Sequence, residues 1–177
     1  MTRTAPVMPT EVPGNYNTAA LFAAATGAVG NWQINVPRFK GYSGTGQAFT
    51  TGTTFVSVTL DSEYLDSDGG HSTVTNTSRY TCQVAGWYWC HGSMNFPTNS
   101  TGNRSLQLAV NGTTYPGTSV LLAAPAGNSW IGMTAGLVQL AVGDYLELQA
   151  FQNSGSTLTT TVISGIQPTL SAVWISS

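Results

Sequence analysis

The feature that most constrains the fold is an alternation of apolar and polar residues with a period of two, which begins after about residue 39. Residues 56–60, 106–110 and 146–150 each carry an apolar side chain at every second position. Successive side chains of a β-strand point to opposite faces of the sheet, so this period predicts strands with one buried face.

Short turn sequences separate these runs, among them Asn111-Gly112 and Gly143-Asp144. Many short antiparallel strands joined by tight turns predict an all-β sandwich or barrel. No strand–helix–strand alternation is visible, which argues against a parallel α/β sheet. The chain has 177 residues, which is enough for one such domain with a substantial core.

Residues 1–38 have a different pattern and predict an N-terminal arm. Three prolines keep its first part extended, and an Ala-rich run from Ala19 to Trp32 then predicts a short helix capped by Asn17 or Thr18. The glycines at 27 and 30 weaken this helix, so we expect it to need a partner surface. One apolar stripe follows the helical spacing: Leu21, Phe22, Ala25, Val29 and Trp32.

The low charge of the chain limits the classes of partner. Only 7% of the residues are charged, and five basic residues in a chain of net charge −2 cannot form the basic stripe that nucleic acid requires. No segment has the length of apolar sequence that spans a membrane, and the N-terminus does not have the order of a signal peptide. We therefore expect neither nucleic acid nor membrane as a partner.

The residues that could carry chemistry are few. His71 and His91 both stand beside glycines, and no nucleophile elbow accompanies them, so the sequence predicts a non-enzymatic protein. Cys82 and Cys90 could form a disulfide, or they could be two small buried groups, which is the interpretation we favour. Zinc is rejected because Cys90 and His91 are neighbours on a predicted strand and point to opposite faces.

An acidic cluster follows residue 60, and within it Asp66-Ser67-Asp68-Gly69 is similar to the start of a calcium loop. The twelfth position of such a loop needs a bidentate Glu, but here it is Thr77. A looser calcium site at Asp66 and Asp68 stays open, and we expect no other cofactor.

Aromatic and loop residues supply the remaining candidates. Tyr88 is expected to be buried, whereas Trp87 and Trp89 face the other side of their strand. The two tryptophans could form a contact between subunits, a second core layer or an exposed ligand platform. The candidate ligand-binding residues are His71, Trp130, Asn99 and Asn128.

Several segments, in order, resemble the globular head of complement component one-q. They are RYTCQVAGWY at 79–88, LAVNGT at 108–113, VGDYLEL at 142–148 and QNSG at 152–155. The resemblance covers about residues 39–177 and implies a ten-stranded antiparallel jelly roll of the tumour necrosis factor type, assembled as a homotrimer. It departs from the family pattern at Gln83, at Cys90 and near the C-terminal end.

The same resemblance implies that Arg79, Tyr80, Ala85, Gly86 and Tyr88 build the inner sheet. The full set expected to pack in that sheet or at the trimer contact is Tyr80, Tyr88, Trp87, Trp89, Tyr145, Phe151 and Trp174.

The arm adds a second resemblance. Together, residues 16–21 and 38–42 are similar to segments of short virion proteins of tailed phages and prophages of actinobacteria. This similarity implies a non-enzymatic structural protein on the particle surface, a trimeric capsid decoration or minor tail module whose partners are its own copies and other virion proteins. The expected anchoring residues are Tyr16, Leu21, Phe22 and Trp32. The alternative function is a trimeric adhesin or receptor-binding protein that attaches to host cell-wall glycan.

Overall fold

The computed structural model describes residues 19–163 and 165–177, and these residues form one helix followed by a series of antiparallel strands. Arm residues 1–18, including the expected anchor Tyr16, lie outside the described residues, as does the side chain of Leu21. The elements are α1 (Ala19–Ile34), β1 (Arg38–Tyr42), β2 (Ala48–Phe49), β3 (Val56–Ser57), β4 (Ser62–Asp66), β5 (Arg79–Thr81), β6 (Gly86–Phe96), β7 (Asn103–Val110), β8 (Thr113–Thr114), β9 (Val120–Ala123), β10 (Trp130–Leu140), β11 (Tyr145–Gln152), β12 (Leu158–Thr159) and β13 (Thr169–Ser176).

The first sheet has five strands in the order β10-β6-β13-β1-β4, and every neighbouring pair is antiparallel. Strands β6 and β10 have eleven residues each and pair along their whole length. Strand β10 lies at the edge of this sheet and pairs only with β6 within the described part of the chain.

The second sheet contains β3, β11, β7 and β8 in that order, with β5 also paired to β11 and β9 to β7. Strands β12 and β2 form a separate two-stranded ladder. The two large sheets face each other across a single hydrophobic cluster, to which both contribute their alternate side chains. The predicted all-β antiparallel sandwich is thus confirmed.

The period of two is visible in the burial of single strands. In β6, Tyr88, Cys90 and Met94 are fully buried, whereas Trp87 and Trp89 on the opposite face are exposed. In β11 the apolar residues Leu146, Leu148 and Ala150 lie in the core, but Glu147 and Gln149 on the opposite face are buried as well, so the expected exposed face is absent from this strand.

Helix α1 begins at the predicted Ala19 and ends two residues beyond the predicted Trp32. Its last turn contacts the first sheet through Trp32, whose ring meets that of Trp174 edge-on with 5.3 Å between centroids. Phe22, nearer its start, is 68% exposed. No helix in the described part of the chain is both long and apolar enough to cross a bilayer.

Candidate binding surfaces

The outer face of the first sheet carries exposed apolar side chains around Trp87 and Trp89 and along its β10 edge. Its members are outward-facing side chains at the start of β6, along β10 and at the end of β13, and they are here called the apolar face. They comprise Trp87, Trp89, Ile131, Met133, Leu137, Val173 and Ile175, each at least 37% exposed.

The register of the strands makes the apolar face continuous. Leu137 on β10 pairs with Trp89 on β6, and Trp89 pairs with Val173 on β13. Trp89 is 51% exposed and Trp87 is 37% exposed. A second core layer, one of the three expectations for these tryptophans, is therefore wrong for the single chain, because no further layer of described residues covers them.

The outer face of the second sheet is polar and closed. Gln107 on β7 donates from Nε2 to Oε1 of Gln149 on β11 at 3.1 Å, and Gln149 donates to Glu147 Oε2, also at 3.1 Å. Glu147 also accepts from Ser78 Oγ at 2.9 Å and from Arg79 Nε at 3.2 Å, so the carboxylate is buried but fully bonded. This series of hydrogen bonds leaves the side chains of Gln107, Gln149 and Glu147 without a free polar group to offer a ligand.

Two residues expected to pack with Tyr88 lie instead on this second sheet. Tyr145 and Phe151 both belong to β11. Tyr145 stacks under the Arg79 guanidinium at 4.0 Å, and Phe151 meets Phe55 edge-on at 4.9 Å. Of the two alternatives expected for them, packing in the sheet of Tyr88 is therefore wrong, and the trimer contact stays a prediction.

The set of residues expected to build the inner sheet is likewise only partly correct. Gly86 and Tyr88 lie on β6 in the first sheet, but Arg79 and Tyr80 lie on β5, which pairs with β11 in the second. Tyr80 still packs in the shared core, 4.8 Å from Phe39 and 6.2 Å from Tyr88. Trp174 is half-buried, and its Nε1 donates to the carbonyl of Ala85 at 3.1 Å.

His71 is not a surface ligand-binding residue, contrary to the expectation. Its side chain is fully buried, although its backbone lies in a loop. The imidazole lies 3.1 Å from the Glu63 carboxylate and 3.1 Å from the Thr77 carbonyl, and it packs on Phe39 at 5.0 Å. Both ring nitrogens lie within hydrogen-bonding distance of protein groups and the side chain has no exposed surface, so the ring is not presented to a ligand.

Trp130 is also buried, so its assignment as a ligand-binding residue is wrong. Only 4% of the residue is exposed, and its ring packs 5.8 Å from that of Phe96. It points inward because the next inward position on β10 is Gly132, which leaves room for the indole. A Cβ at Gly132 would lie 2.0 Å from the Trp130 ring.

The remaining ligand-binding candidates do not converge with His71. Asn99 is half-buried, and its Oδ1 accepts from the Thr101 backbone at 2.9 Å, while Asn128 is exposed. Both lie in loops next to the Phe96–Trp130 pair. His71 packs on Phe39, which lies in the same row across the first sheet as Cys90 of β6. Cys90 is six residues, or about 20 Å, from Phe96 at the end of that strand.

In the acidic cluster, the carboxylates of Asp61 and Asp66 accept hydrogen bonds from within the protein. Burial acts to raise the pKa of Asp61, but bonds from Thr45, Gly44 and Ser62 outweigh it and hold that pKa below its usual range. Asp66 accepts from the backbone N–H of Asp68 and of His71. Within residues 19–163 and 165–177, no three His, Cys, Asp or Glu side chains are grouped to hold a metal.

Cys82 and Cys90 are both buried and unpaired. Burial raises the pKa of the Cys82 thiol and raises that of Cys90 to about 12. The interpretation as two small core groups is therefore the one that the structure supports, and neither thiol is poised as a nucleophile.

A polar cavity of about 260 Å³ also opens on the outer face of the first sheet. Its lining includes Lys40, Tyr64, His91, Ser93, Thr169 and Ser171. No sequence pattern indicates this cavity, because its residues come from four strands and a loop and each stands alone in the sequence. The usable signal was Lys40, the only lysine of the chain.

Comparison with known proteins gives a fold and no closer relationship. No protein-family model and no curated protein sequence matches the chain. The globular domain of the zebrafish complement 1qA protein superposes with a TM-score of 0.51 at 16% identity, covering 78% of this chain and 97% of that domain. The fold is that of a complement globular head. The expected fold type is thereby confirmed. The apolar face and the polar cavity both lie on the first sheet of this fold.

Proposed function

We propose that the protein is a trimeric, non-enzymatic structural module of a tailed-phage virion, held by its N-terminal arm, with the complement-head jelly roll projecting from the particle. The observation that carries the assembly part is the apolar face. Contiguous exposed apolar patches are rare on monomers and usually mark an interface, and this one contains two tryptophans.

The edge strand β10, which contributes to the apolar face, indicates how two copies of the chain would meet. Strand β10 presents Ile131, Met133 and Leu137 outward beside a backbone edge that no other described strand pairs. Long apolar edges promote association unless something covers them. Packing the β10 edge of one copy on Trp87 and Trp89 of the next is a head-to-tail contact, and repetition by a three-fold rotation closes it into a ring.

The chemistry of the described residues supports a role without catalysis. The two thiols are buried with raised pKa values, and the His71 ring is enclosed. His91 lies on an open sheet face with serines around it but no carboxylate to orient it. A triad needs all three groups in hydrogen-bonding reach.

The helix supports attachment through the N-terminal part of the chain. Apart from the Trp32–Trp174 contact, α1 stands largely exposed, with Phe22 presented to solvent. A 16-residue helix with no charged side chain is marginal by itself in water. A docking surface on another virion protein would cover Phe22 and supply the missing stabilisation.

Sedimentation of the purified chain tests assembly, and binding to particles tests attachment. We expect a trimer by sedimentation equilibrium. A variant lacking residues 1–30 keeps Trp32 and should remain a folded trimer that no longer co-sediments with phage particles assembled without the native protein. The full chain is the control in the same mixture. A monomeric full chain would refute the assembly, and undiminished binding of the shortened chain would refute attachment by the arm.

A second candidate function, a cell-surface glycan-binding adhesin, is favoured by the polar cavity. The expected residues His71 and Trp130 cannot serve it, since both side chains are buried. The hydroxyl-rich cavity on the first sheet replaces them as the place where a saccharide would bind.

A further inference from the structure

The floor of the polar cavity is set by one row of residues across the first sheet. His91 on β6 pairs with Ser171 on β13, and Ser171 pairs with Lys40 on β1. All three point away from the core, because the inward positions beside them are Cys90, Ala172 and Phe39. The row thus places a small hydroxyl between two basic side chains whose backbones lie about 10 Å apart.

The next outward row adds hydroxyl groups. Ser93 pairs with Thr169 two positions further along the same strands. Thr169 Oγ1 donates to the Gln167 carbonyl at 3.0 Å, and Ser171 Oγ makes only a long bond of 3.4 Å to the His91 carbonyl. The hydroxyls of Ser93 and Ser171 therefore remain open to a ligand.

One wall of the cavity is an aromatic residue held in place from both sides. The ring of Tyr64 stacks on that of Tyr42, with 4.4 Å between centroids, and its hydroxyl accepts from Gln167 Nε2 at 3.1 Å. Lys40 Nζ lies 5.2 Å from the same ring. Tyr64 is nevertheless 61% exposed, so this braced side chain still presents surface to an incoming ligand.

The charge of the cavity is positive and uncompensated. None of its described lining residues is Asp or Glu. The two ion pairs found among described side chains, His71–Glu63 and Arg79–Glu147, leave Lys40 without a carboxylate partner in that part of the chain. In a protein of net charge −2 this is a local site of opposite sign.

We propose that this cavity binds one acidic sugar unit, with its anionic group between Lys40 and His91 and its hydroxyls on Ser93, Ser171 and Tyr64. A volume of about 260 Å³ is slightly below the roughly 300–1,000 Å³ of sites for drug-sized ligands, which suits a single sugar ring. The anionic group could be a uronic carboxylate or a phosphate ester, since Lys binds both as a point charge.

The site is complete within one chain and lies beside the apolar face, so it does not rest on the proposed trimer. The two regions meet on β6, where Trp89 belongs to the apolar face and His91 to the cavity, and they also meet where Met133 of the apolar face pairs with Ser93 of the cavity.

The two histidines of the chain allow a direct test by NMR. We would titrate the full chain with glucuronate, with glucose 6-phosphate and with glucose, and follow the Hε1 resonances of His91 and His71. The proposal expects a saturable shift of His91 with at least one acidic sugar, while His71, enclosed by Glu63 and Thr77, stays in place as the internal reference. Which acidic sugar binds distinguishes carboxylate from phosphate as the anionic group.

Substitutions at Lys40 and Ser171 distinguish the contribution of charge to binding from the contribution of the shape of the cavity. Lys40→Gln should weaken binding at least about tenfold, Lys40→Arg should retain it, and Ser171→Val should abolish it by filling the floor without changing charge. Thermal unfolding of each variant checks that the sheet is intact. Equal binding of glucose and the acidic sugars, equal affinity of Lys40→Gln and the native chain, or no saturable His91 shift would each overturn the proposal. Sedimentation of the same samples reports the trimer separately, so a trimer that binds no acidic sugar would refute the cavity alone.

Discussion

Replacement of Trp89 by alanine tests whether the apolar face joins copies of the chain. Trp89 lies at the centre of this face, between Leu137 and Val173 on the neighbouring strands. Its side chain points away from the core, and the inward residues beside it, Tyr88 and Cys90, are untouched by the change. The substitution should therefore weaken assembly while leaving the fold of each chain in place.

The exposed area of Trp89 sets the size of the effect. The residue is 51% exposed, so complete coverage by a neighbouring copy would remove about half of the roughly 250 Å² that a tryptophan presents, or ~125 Å². At ~25 cal/mol per Å² this amounts to about 3 kcal/mol for each copy, or about a hundredfold in the association constant of each contact.

Sedimentation equilibrium over a range of concentrations measures this loss. Two further variants form a matched pair: Leu137→Ala removes a 52% exposed leucine from the apolar face, and Leu121→Ala removes a 59% exposed leucine from β9 on the other sheet. We expect the first to weaken the trimer and the second to leave it unchanged. An unchanged trimer constant for Trp89→Ala, with native far-ultraviolet circular dichroism, would show that the copies meet elsewhere.

Three further predictions concern the single chain. Gly132→Ala places a methyl 2.4 Å from Leu106 Cδ2 and closer still to Trp130, so urea unfolding should show a loss of about 1–3 kcal/mol, whereas Gly52→Ala, with open space, should not. Asp61→Asn should cost about 1 kcal/mol at neutral pH, because the lowered pKa of Asp61 reflects bonds to its ionised form. That contribution is present above the ordinary pKa of 3.8 and is lost as the pH falls through the lower folded value, so the two unfolding curves should converge in acid. The two cysteines should resist a thiol reagent at pH 8 until urea unfolds the chain, and rapid native labelling would contradict their burial.

The strands were predictable from the sequence because their periodicity is local. The runs at 106–110 and 146–150 show which residues face inward, and the run at 56–60 does so for Val58 and Leu60 but not for Val56, which is 42% exposed. The helix follows from its Ala-rich composition. Which sheet each strand joins is a different question. Strand β5 pairs with β11, 60 or more residues away in the chain, and no local pattern specifies such a partner.

The position of Trp130 shows where periodicity fails. On β10 the outward phase carries Ile131, Met133 and Leu137, whereas the inward phase begins with Trp130 and continues through Gly132. Because both phases contain apolar residues, the sequence does not reveal which one faces the core. The small inward residue Gly132 is explained by the bulk of Leu106 on the facing sheet and of Trp130 on its own strand, and these contacts are visible only in three dimensions.

The polar cavity and the burial of His71 depend on long-range contacts for the same reason. The glycine beside His71 indicated a solvated loop, but Phe39, from a strand more than thirty residues earlier, covers the ring. The cavity needs β1, β4, β6 and β13 to lie side by side before Lys40 and His91 share one surface.

The junction between α1 and the sheet has a mechanical consequence. The chain passes from the helix directly into β1, which lies between β13 and β4 and forms five registered pairs with β13. The carbonyl of Pro37, at the entry to this strand, accepts a bond from Trp174 at 2.9 Å. A tensile load on the arm directed along β1 would therefore be carried by these bonds together, in shear, rather than breaking them one by one as in peeling an edge strand. If the arm attaches the protein as proposed above, pulling the domain away would have to break the pairing of an internal strand of the sheet.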